Sequence, residues 1–141
     1  MNKILRNILA VIAGFIVGSL VNSGLIQLGH TQFPLEGIDP NDMDALAEAI
    51  PHMSAEHFIF PFLAHALGTL VGAVIAALIA ASRKMLFALI VGGVFFIAGL
   101  VINLMVPGPT WFFILDVLVA YIPMAWIGGR IGMSLNKTST Q

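Results

Sequence analysis

Residues 58–81 read FIFPFLAHALGTLVGAVIAALIAA, a run that contains no Asp, Glu, Lys or Arg. The hydrocarbon core of a bilayer is about 30 Å thick, so a helix needs about 20 apolar residues to cross it. Within the run, small residues recur at every fourth position, which places them on one face of a helix. This small-residue stripe consists of Ala64, Gly68, Gly72, Ala76 and Ala80. Because lipid removes the ordinary hydrophobic drive between helices, the stripe predicts that another helix packs closely against it.

Three further runs share this length and character, at residues 4–28, 85–106 and 111–133. Only helices fit such runs, since a backbone exposed to lipid must satisfy its own hydrogen bonds. Hydrophobic residues make up 59% of the 141 residues and charged residues 9%, whereas a soluble domain carries about 25% charged residues. The sequence therefore predicts an all-α integral membrane protein, with residues 1–141 forming one four-transmembrane-helix bundle.

The basic residues predict the orientation of the bundle. They lie near the two termini and in the turn at 82–84, which share one side of the membrane if four spans alternate. They are Lys3, Arg6, Arg83, Lys84, Arg130 and Lys137. Six of the seven acids lie in the long loop at 29–57, on the opposite side. By the positive-inside rule, both termini are expected in the cytoplasm and the loop outside. The overall pattern resembles small bacterial inner-membrane proteins, so the expected location is the cytoplasmic membrane of a bacterium.

One alternative concerns the first span. Lys3 and Arg6, followed by an apolar run and Val21-Asn22-Ser23, could form a signal peptide that is cleaved after Ser23. Apolar residues continue as far as Leu28, which favours a retained span. Mass spectrometry of the mature N-terminus distinguishes the two.

The loop at 29–57 is predicted to contain a short amphipathic helix. Asp39 and Pro40 supply an acidic cap and a proline at the first helical position. Apolar residues then recur at helical spacing, at Met43, Leu46, Ala47 and Ile50. Pro51 ends the helix. We expect this helix either to cover the end of the bundle as a simple loop element or to act as a lid over a cavity.

Small residues also predict how the other spans pack. The first span carries Gly14 and Gly18 at four-residue spacing, and the fourth ends with Gly128 and Gly132. Together with the small-residue stripe, these are the candidate helix-packing positions. Pro123 should kink the fourth span, because proline has no N–H for the carbonyl group one turn earlier.

Each span also brings a polar side chain to the outer half of the membrane. At about 1.5 Å per residue, Asp116 and His65 lie about 9–10 Å from the outer ends of their spans, and Asn22, Asn103 and Thr69 lie near the same layer. Asp116 is the only acid within a predicted span. A charged side chain at mid-bilayer costs about 2.5–3.5 kcal/mol on insertion scales, so Asp116 should face the bundle and have a partner. His65 is the obvious candidate.

This set of residues supports three interpretations. Imidazole changes charge in the physiological pH range, so the His65–Asp116 pair could bind a proton or ligand in an outward-facing cavity of a small transport protein, with Asn22 and Asn103 as its walls. Buried polar residues also tie helices together, so the alternative is a structural or accessory subunit that docks a partner through its small-residue stripes and acidic loop. A metal site that recruits His30, Glu56 or His57 is the third.

Composition excludes several other classes. The net charge of −1 creates no field that would attract nucleic acid. Without cysteine, the chain has no disulfide, thiolate nucleophile or zinc–thiolate site. It also lacks a phosphate-binding loop, a nucleophile elbow and an HExxH helix. We therefore expect no enzyme, no cofactor and no bound metal. The expected partners are the lipid bilayer and either a second copy of the chain or another membrane protein, because one protomer is small for enclosing a pathway.

Overall fold

The computed structural model describes residues 2–138, with side chains described as far as residue 136, so the side chain of Lys137 lies outside it. Within these residues the chain is helical and has no strand. Four segments are long and apolar enough to cross a membrane, namely Lys3–Gln32, Ala55–Ile79, Lys84–Met105 and Thr110–Asn136. The predicted all-α, multi-pass membrane protein is thereby confirmed.

The four spans comprise five of the six α-helices, and the remaining helix lies in the long loop. The helices are α1 (Lys3–Gln32), α2 (Met43–Ala49), α3 (Ile59–Ile79), α4 (Lys84–Met105), α5 (Thr110–Val119) and α6 (Ile122–Thr138). Short 3₁₀ turns at Ile50–His52 and Ala55–Phe58 join α2 to α3. The first span runs past its expected end at residue 28, because polar residues can continue a helix once the apolar run stops.

The loop helix α2 begins later than Asp39 and Pro40 suggest. Asp39 accepts a hydrogen bond of 2.9 Å from the backbone N–H of Asn41 and so forms a local turn. Asp42 is the residue that caps α2, since its side chain accepts 3.1 Å hydrogen bonds from two backbone N–H groups of the first turn. Asp39 and Asp42 are both suitable capping residues. Which of them caps the helix depends on where the apolar stripe of α2 begins.

α3 is the central helix and packs against α1, α4 and α6. Every member of its small-residue stripe is buried. A Cβ atom built on Gly14 would lie 2.6 Å from the carbonyl oxygen of Gly72, and one built on Gly18 would lie equally close to that of Gly68. The antiparallel helices α1 and α3 therefore meet backbone to backbone.

The glycines of α6 face α3 from another side. A Cβ on Gly132 would lie 2.7 Å from the carbonyl oxygen of Val74, and one on Gly128 would overlap the carbonyl oxygen of Leu70. The contact four residues later in α6 is also four residues later in α3, so the two helices run parallel. The candidate packing positions are thus occupied by contacts within one protomer.

The fourth span is broken into two helices. α5 ends at Val119, Ala120 and Tyr121 form a turn, and α6 begins at Ile122. Pro123 lies in the first turn of α6, where a missing N–H leaves no intrahelical bond unmade. Instead of the kink expected from the proline, the span is interrupted between α5 and α6.

The C-terminal end of α3 is held by side chains from three other helices. Its last carbonyl groups have no intrahelical partner, and they accept hydrogen bonds from Arg6 of α1, Lys84 of α4 and Asn136 of α6. The distances range from 2.6 Å for Arg6 Nε to the Ile79 oxygen to 3.3 Å for Asn136 Nδ2 to the Leu78 oxygen. We call this the basic end of the bundle, and the end that carries the loop at 33–58 the acidic end.

A tight turn at 82–84 joins α3 to α4. Arg83 is left-handed, with φ 44°, the one non-glycine residue with positive φ in the described chain. Asn7 of α1 secures the turn, because its side-chain oxygen accepts from the Ala81 N–H at 2.8 Å and its Nδ2 donates to the Ser82 hydroxyl at 3.1 Å. This tie offsets part of the roughly 1–2 kcal/mol that a left-handed residue costs.

Candidate functional site

Asp116 of α5 is fully buried and accepts hydrogen bonds from several helices. His65 Nδ1 of α3 lies 2.8 Å from Oδ1 and 3.0 Å from Oδ2 of the carboxylate. The Tyr121 hydroxyl donates to Oδ2 at 2.8 Å. Asn103 Nδ2 of α4 lies 3.5 Å from Oδ2 and also donates to the Gly99 carbonyl at 3.0 Å. We call Asp116, His65, Tyr121 and Asn103 the Asp116 cluster.

The imidazole of His65 has one bound nitrogen and one open nitrogen. A carboxylate only accepts hydrogen bonds, so Nδ1 must donate when Asp116 is ionised, and in a neutral imidazole Nε2 then carries the lone pair. Nε2 has no hydrogen-bond partner in the described part of the chain, and the one buried side-chain polar atom there without a partner is Thr69 Oγ1. The imidazole side chain as a whole is 19% exposed.

The hydrogen bonds nearly balance the cost of placing the acid in the membrane. Each buried hydrogen bond between membrane helices contributes about 0.6 kcal/mol, so the three donors together contribute about 2 kcal/mol. Insertion of the charge costs about 2.5–3.5 kcal/mol at mid-bilayer and less nearer the surface. The cluster thus makes little net contribution to stability, although losing one partner would leave the others unsatisfied.

Tyr121 is the member that sequence reasoning missed. On a continuous helix, residues five apart point about 140° away from each other, so nothing pairs Tyr121 with Asp116. The interruption between α5 and α6 returns the hydroxyl to the carboxylate, and the ring stacks on His65 with centroids 5.7 Å apart. Gly99 leaves the necessary space, since a Cβ there would overlap the tyrosine hydroxyl. The available signal in the sequence was Pro123, which indicates that the helix is interrupted but not where the Tyr121 side chain then points.

Asn22 does not belong to the cluster, contrary to the sequence-based expectation. It lies on the face of α1 that packs on α3, where a Cβ on Gly68 would lie 3.0 Å from the Asn22 Cβ. It lines a separate cleft with Gln27 and Asn41. No hydrogen bond among the described side chains joins it to Asp116. Depth along a helix fixes the height of a side chain but not the direction in which it points.

Thr69 lies one helical turn beyond His65 and is completely buried. Its hydroxyl has no hydrogen-bond partner among the described residues, Asp116 included. The structure thus places Thr69 on the same face of α3 as His65 but does not connect the two residues. Its role in binding remains a prediction.

The four cavities described at the acidic end do not include the outward-facing cavity expected around His65 and Asp116. Asp116 is fully buried, and the cavities found at the acidic end have other linings. Aromatic side chains pack beside the pair, since Phe96 lies edge-on against Tyr121 with ring centroids 5.9 Å apart. The sequence could locate the polar layer but not the volume of the side chains around it.

The residues considered as additional metal ligands make their contacts in and near the loop. Ser54 binds both Glu56 and His57, at 3.0 Å each, and His30 lines the cavities near the loop. Within the described chain, no three His, Asp or Glu side chains are grouped as a metal ion would require. The metal interpretation therefore has no ligand set in this structure.

Fold and site together define a class, a multi-pass membrane protein of four spans with a histidine–aspartate pair between its helices. No family model, curated protein or solved structure matches the chain. Any function must therefore be argued from the geometry itself.

Proposed function

We propose that this chain is a small membrane transport protein that moves protons through its His65–Asp116 pair. The observation that supports this is a fully buried carboxylate bound at 2.8 Å to an imidazole whose other nitrogen has no hydrogen-bond partner among the described residues. Ionisable residues within membrane spans are rare, and they commonly mark ion and proton pathways.

The proposed step is the gain and loss of a proton at His65 Nε2. Protonation converts the pair from a single negative charge to none, a change that a low-dielectric surrounding makes energetically large. The hydrogen bonds from Tyr121 and Asn103 hold the carboxylate independently of His65. Thr69, with its unpartnered hydroxyl one turn further along α3, is the proposed next group on the path toward the basic end.

Replacement of Asp116 by asparagine tests this proposal. Asp116→Asn preserves the size of the side chain but removes the charge that partners the imidazolium. In vesicles loaded with a pH-sensitive dye, wild-type protein should carry protons down an imposed pH gradient, and Asp116→Asn should fall to the rate of empty vesicles. Glu48→Gln, which changes an exposed acid of α2, is the matched control and should transport normally.

Circular dichroism establishes that the variants are folded. The proposal fails if folded Asp116→Asn transports as fast as wild type, or if wild type adds nothing to the rate of empty vesicles.

The orientation is part of the same proposal, with both termini and the 82–84 turn in the cytoplasm and α2 on the outer surface. It is supported by Arg6 and Lys84, which share the basic end, and by the acids of the opposite loop.

Single cysteines can report this orientation because the chain has none of its own. Asn41→Cys should react in intact cells with a maleimide that does not cross membranes. Ser82→Cys should react only after permeabilisation. Labelling of Ser82→Cys in intact cells, with Asn41→Cys protected, would invert the proposed topology.

The second candidate is a structural or accessory subunit. It is favoured by the complete hydrogen bonding and burial of Asp116, which is what a tie between helices requires. The small-residue stripes are already used within the protomer, so a partner would have to bind the acidic loop or an outer face. This candidate predicts that Asp116→Asn lowers stability, that no proton flux occurs in wild type, and that a membrane protein copurifies.

A further inference from the structure

An apolar cavity of about 150 Å³ lies at the acidic end, between α1, α2 and the start of α3. Its apolar lining includes Ile26, Phe33, Leu46, Ile50, Phe58 and Pro61. Leu46 and Ile50 belong to the apolar stripe of the loop helix, so α2 and the turn after it cover this cavity. A cavity of roughly this size with such a lining is large enough for a benzene-sized group.

The cavity adjoins an open depression that carries polar groups. The two share Leu35, Met53 and His57, and the depression is also lined by Glu36 and His52. We call this depression, of about 450 Å³, the vestibule. A partly covered apolar space beside a polar depression matches the two parts of an amphipathic molecule.

The fixed charge around the vestibule is negative. Glu36 lines it, and no Lys or Arg occurs between Arg6 and Arg83 in the sequence. A cationic group would therefore be attracted and an anionic headgroup repelled. Phe33 lines the apolar cavity, and its ring centroid is 5.8 Å from that of His57, which lines both spaces.

We propose that the cavity and vestibule form a binding site for a small cationic amphiphile. Its apolar group lies beneath α2, and its positive charge lies in the vestibule beside Glu36. This inference does not depend on the proposed proton transport, because no residue of the Asp116 cluster lines either space.

Benzyltrimethylammonium is a suitable probe, since it joins a phenyl ring to a permanent cation. The protein carries ¹³C-labelled methionine methyl groups and is placed in phosphatidylcholine nanodiscs. Met53 lines both spaces, whereas Met85 lies at the basic end beside Gly129. The Met53 methyl signal should shift saturably with the probe while that of Met85 stays constant. Phenylmethanesulfonate, with the same ring and the opposite charge, should bind about tenfold more weakly.

Variants separate the two parts of the site. Leu46→Trp fills the cavity and should abolish the saturable shift at Met53. Glu36→Gln removes an exposed charge, and it should weaken binding of the cation about threefold while leaving binding of neutral benzyl alcohol unchanged. Glu48→Gln, an acid of α2 that lines neither space, should retain wild-type affinity and is the matched control.

Three results would overturn the proposal. The first is a shift of Met53 and Met85 in parallel, which indicates partition into the bilayer. The second is equal affinity for the cationic and anionic probes. The third is an equal loss of affinity in Glu36→Gln and Glu48→Gln. Glu36→Gln changes an exposed side chain, so it keeps the test valid even where Leu46→Trp does not fold.

Discussion

Gly18→Ala is expected to lower the free energy of unfolding by about 2 kcal/mol, and the double change at Gly14 and Gly18 to lower it by about 4 kcal/mol. The new Cβ atom would lie 2.6 Å from a backbone carbonyl oxygen of α3 at either position. A flexible side chain could rotate out of the way, but a helical carbonyl cannot. α1 would therefore have to move away from α3 along their closest line of contact. Denaturant unfolding in micelles, followed by circular dichroism, measures the loss.

Gly24→Ala provides the matched control on the same helix. A Cβ at Gly24 has nothing within 4 Å, so the substitution introduces no clash. Because alanine favours a helix over glycine by about 0.5–1 kcal/mol, stability should stay constant or rise slightly. Equal destabilisation by Gly18→Ala and Gly24→Ala would contradict close backbone packing and point to a general effect of the methyl group.

Asp116→Ala is expected to destabilise the protein by about 2 kcal/mol, since it leaves several buried donors without an acceptor. Tyr121→Phe should cost about 1 kcal/mol in the wild-type background, through the loss of the 2.8 Å bond to Oδ2. In the Asp116→Ala background the same change should cost almost nothing, because the bond is already absent. Equilibrium unfolding of the four proteins gives the coupling energy of a double-mutant cycle.

Ile122→Val serves as a control for the cycle, since Ile122 is exposed and adjacent to Tyr121. It should have the same small effect in both backgrounds. The hydrogen-bond assignment is wrong if Tyr121→Phe costs as much with alanine at position 116 as with aspartate.

The spans could be predicted because hydropathy decides them without reference to a partner. The run at 58–81 is too long and too apolar for any other role, and α3 occupies it almost entirely. The exact residue at which a helix begins was harder to predict from the sequence. From the local sequence, Asp39 and Asp42 are equally suitable caps for α2. In the structure, the first-turn N–H groups donate to the side chain of Asp42.

The candidate site could be predicted where one strong constraint acted alone. An acid in a membrane span requires a partner, and His65 lies at the matching depth, so the pairing of Asp116 with His65 followed from the sequence. Asn22 satisfies the same depth criterion but faces α3 beside Gly68. Tyr121 reaches the carboxylate through a change in helix direction that no periodicity encodes. Side-chain direction across a helix break requires the packed structure.

The contacts at the end of α3 also bear on the order in which the chain assembles. Arg6 is synthesised long before the carbonyl group of Ile79 that it contacts, and Asn136 leaves the ribosome last of the three donors. Until Asn136 arrives, water and lipid headgroups must satisfy the carbonyl group of Leu78, although Arg6 and Lys84 are already available to bind the end of α3. Its exposed oxygens receive their final partner only when the last membrane segment has been inserted, so the closing step of biogenesis takes place at the cytoplasmic surface in the proposed orientation.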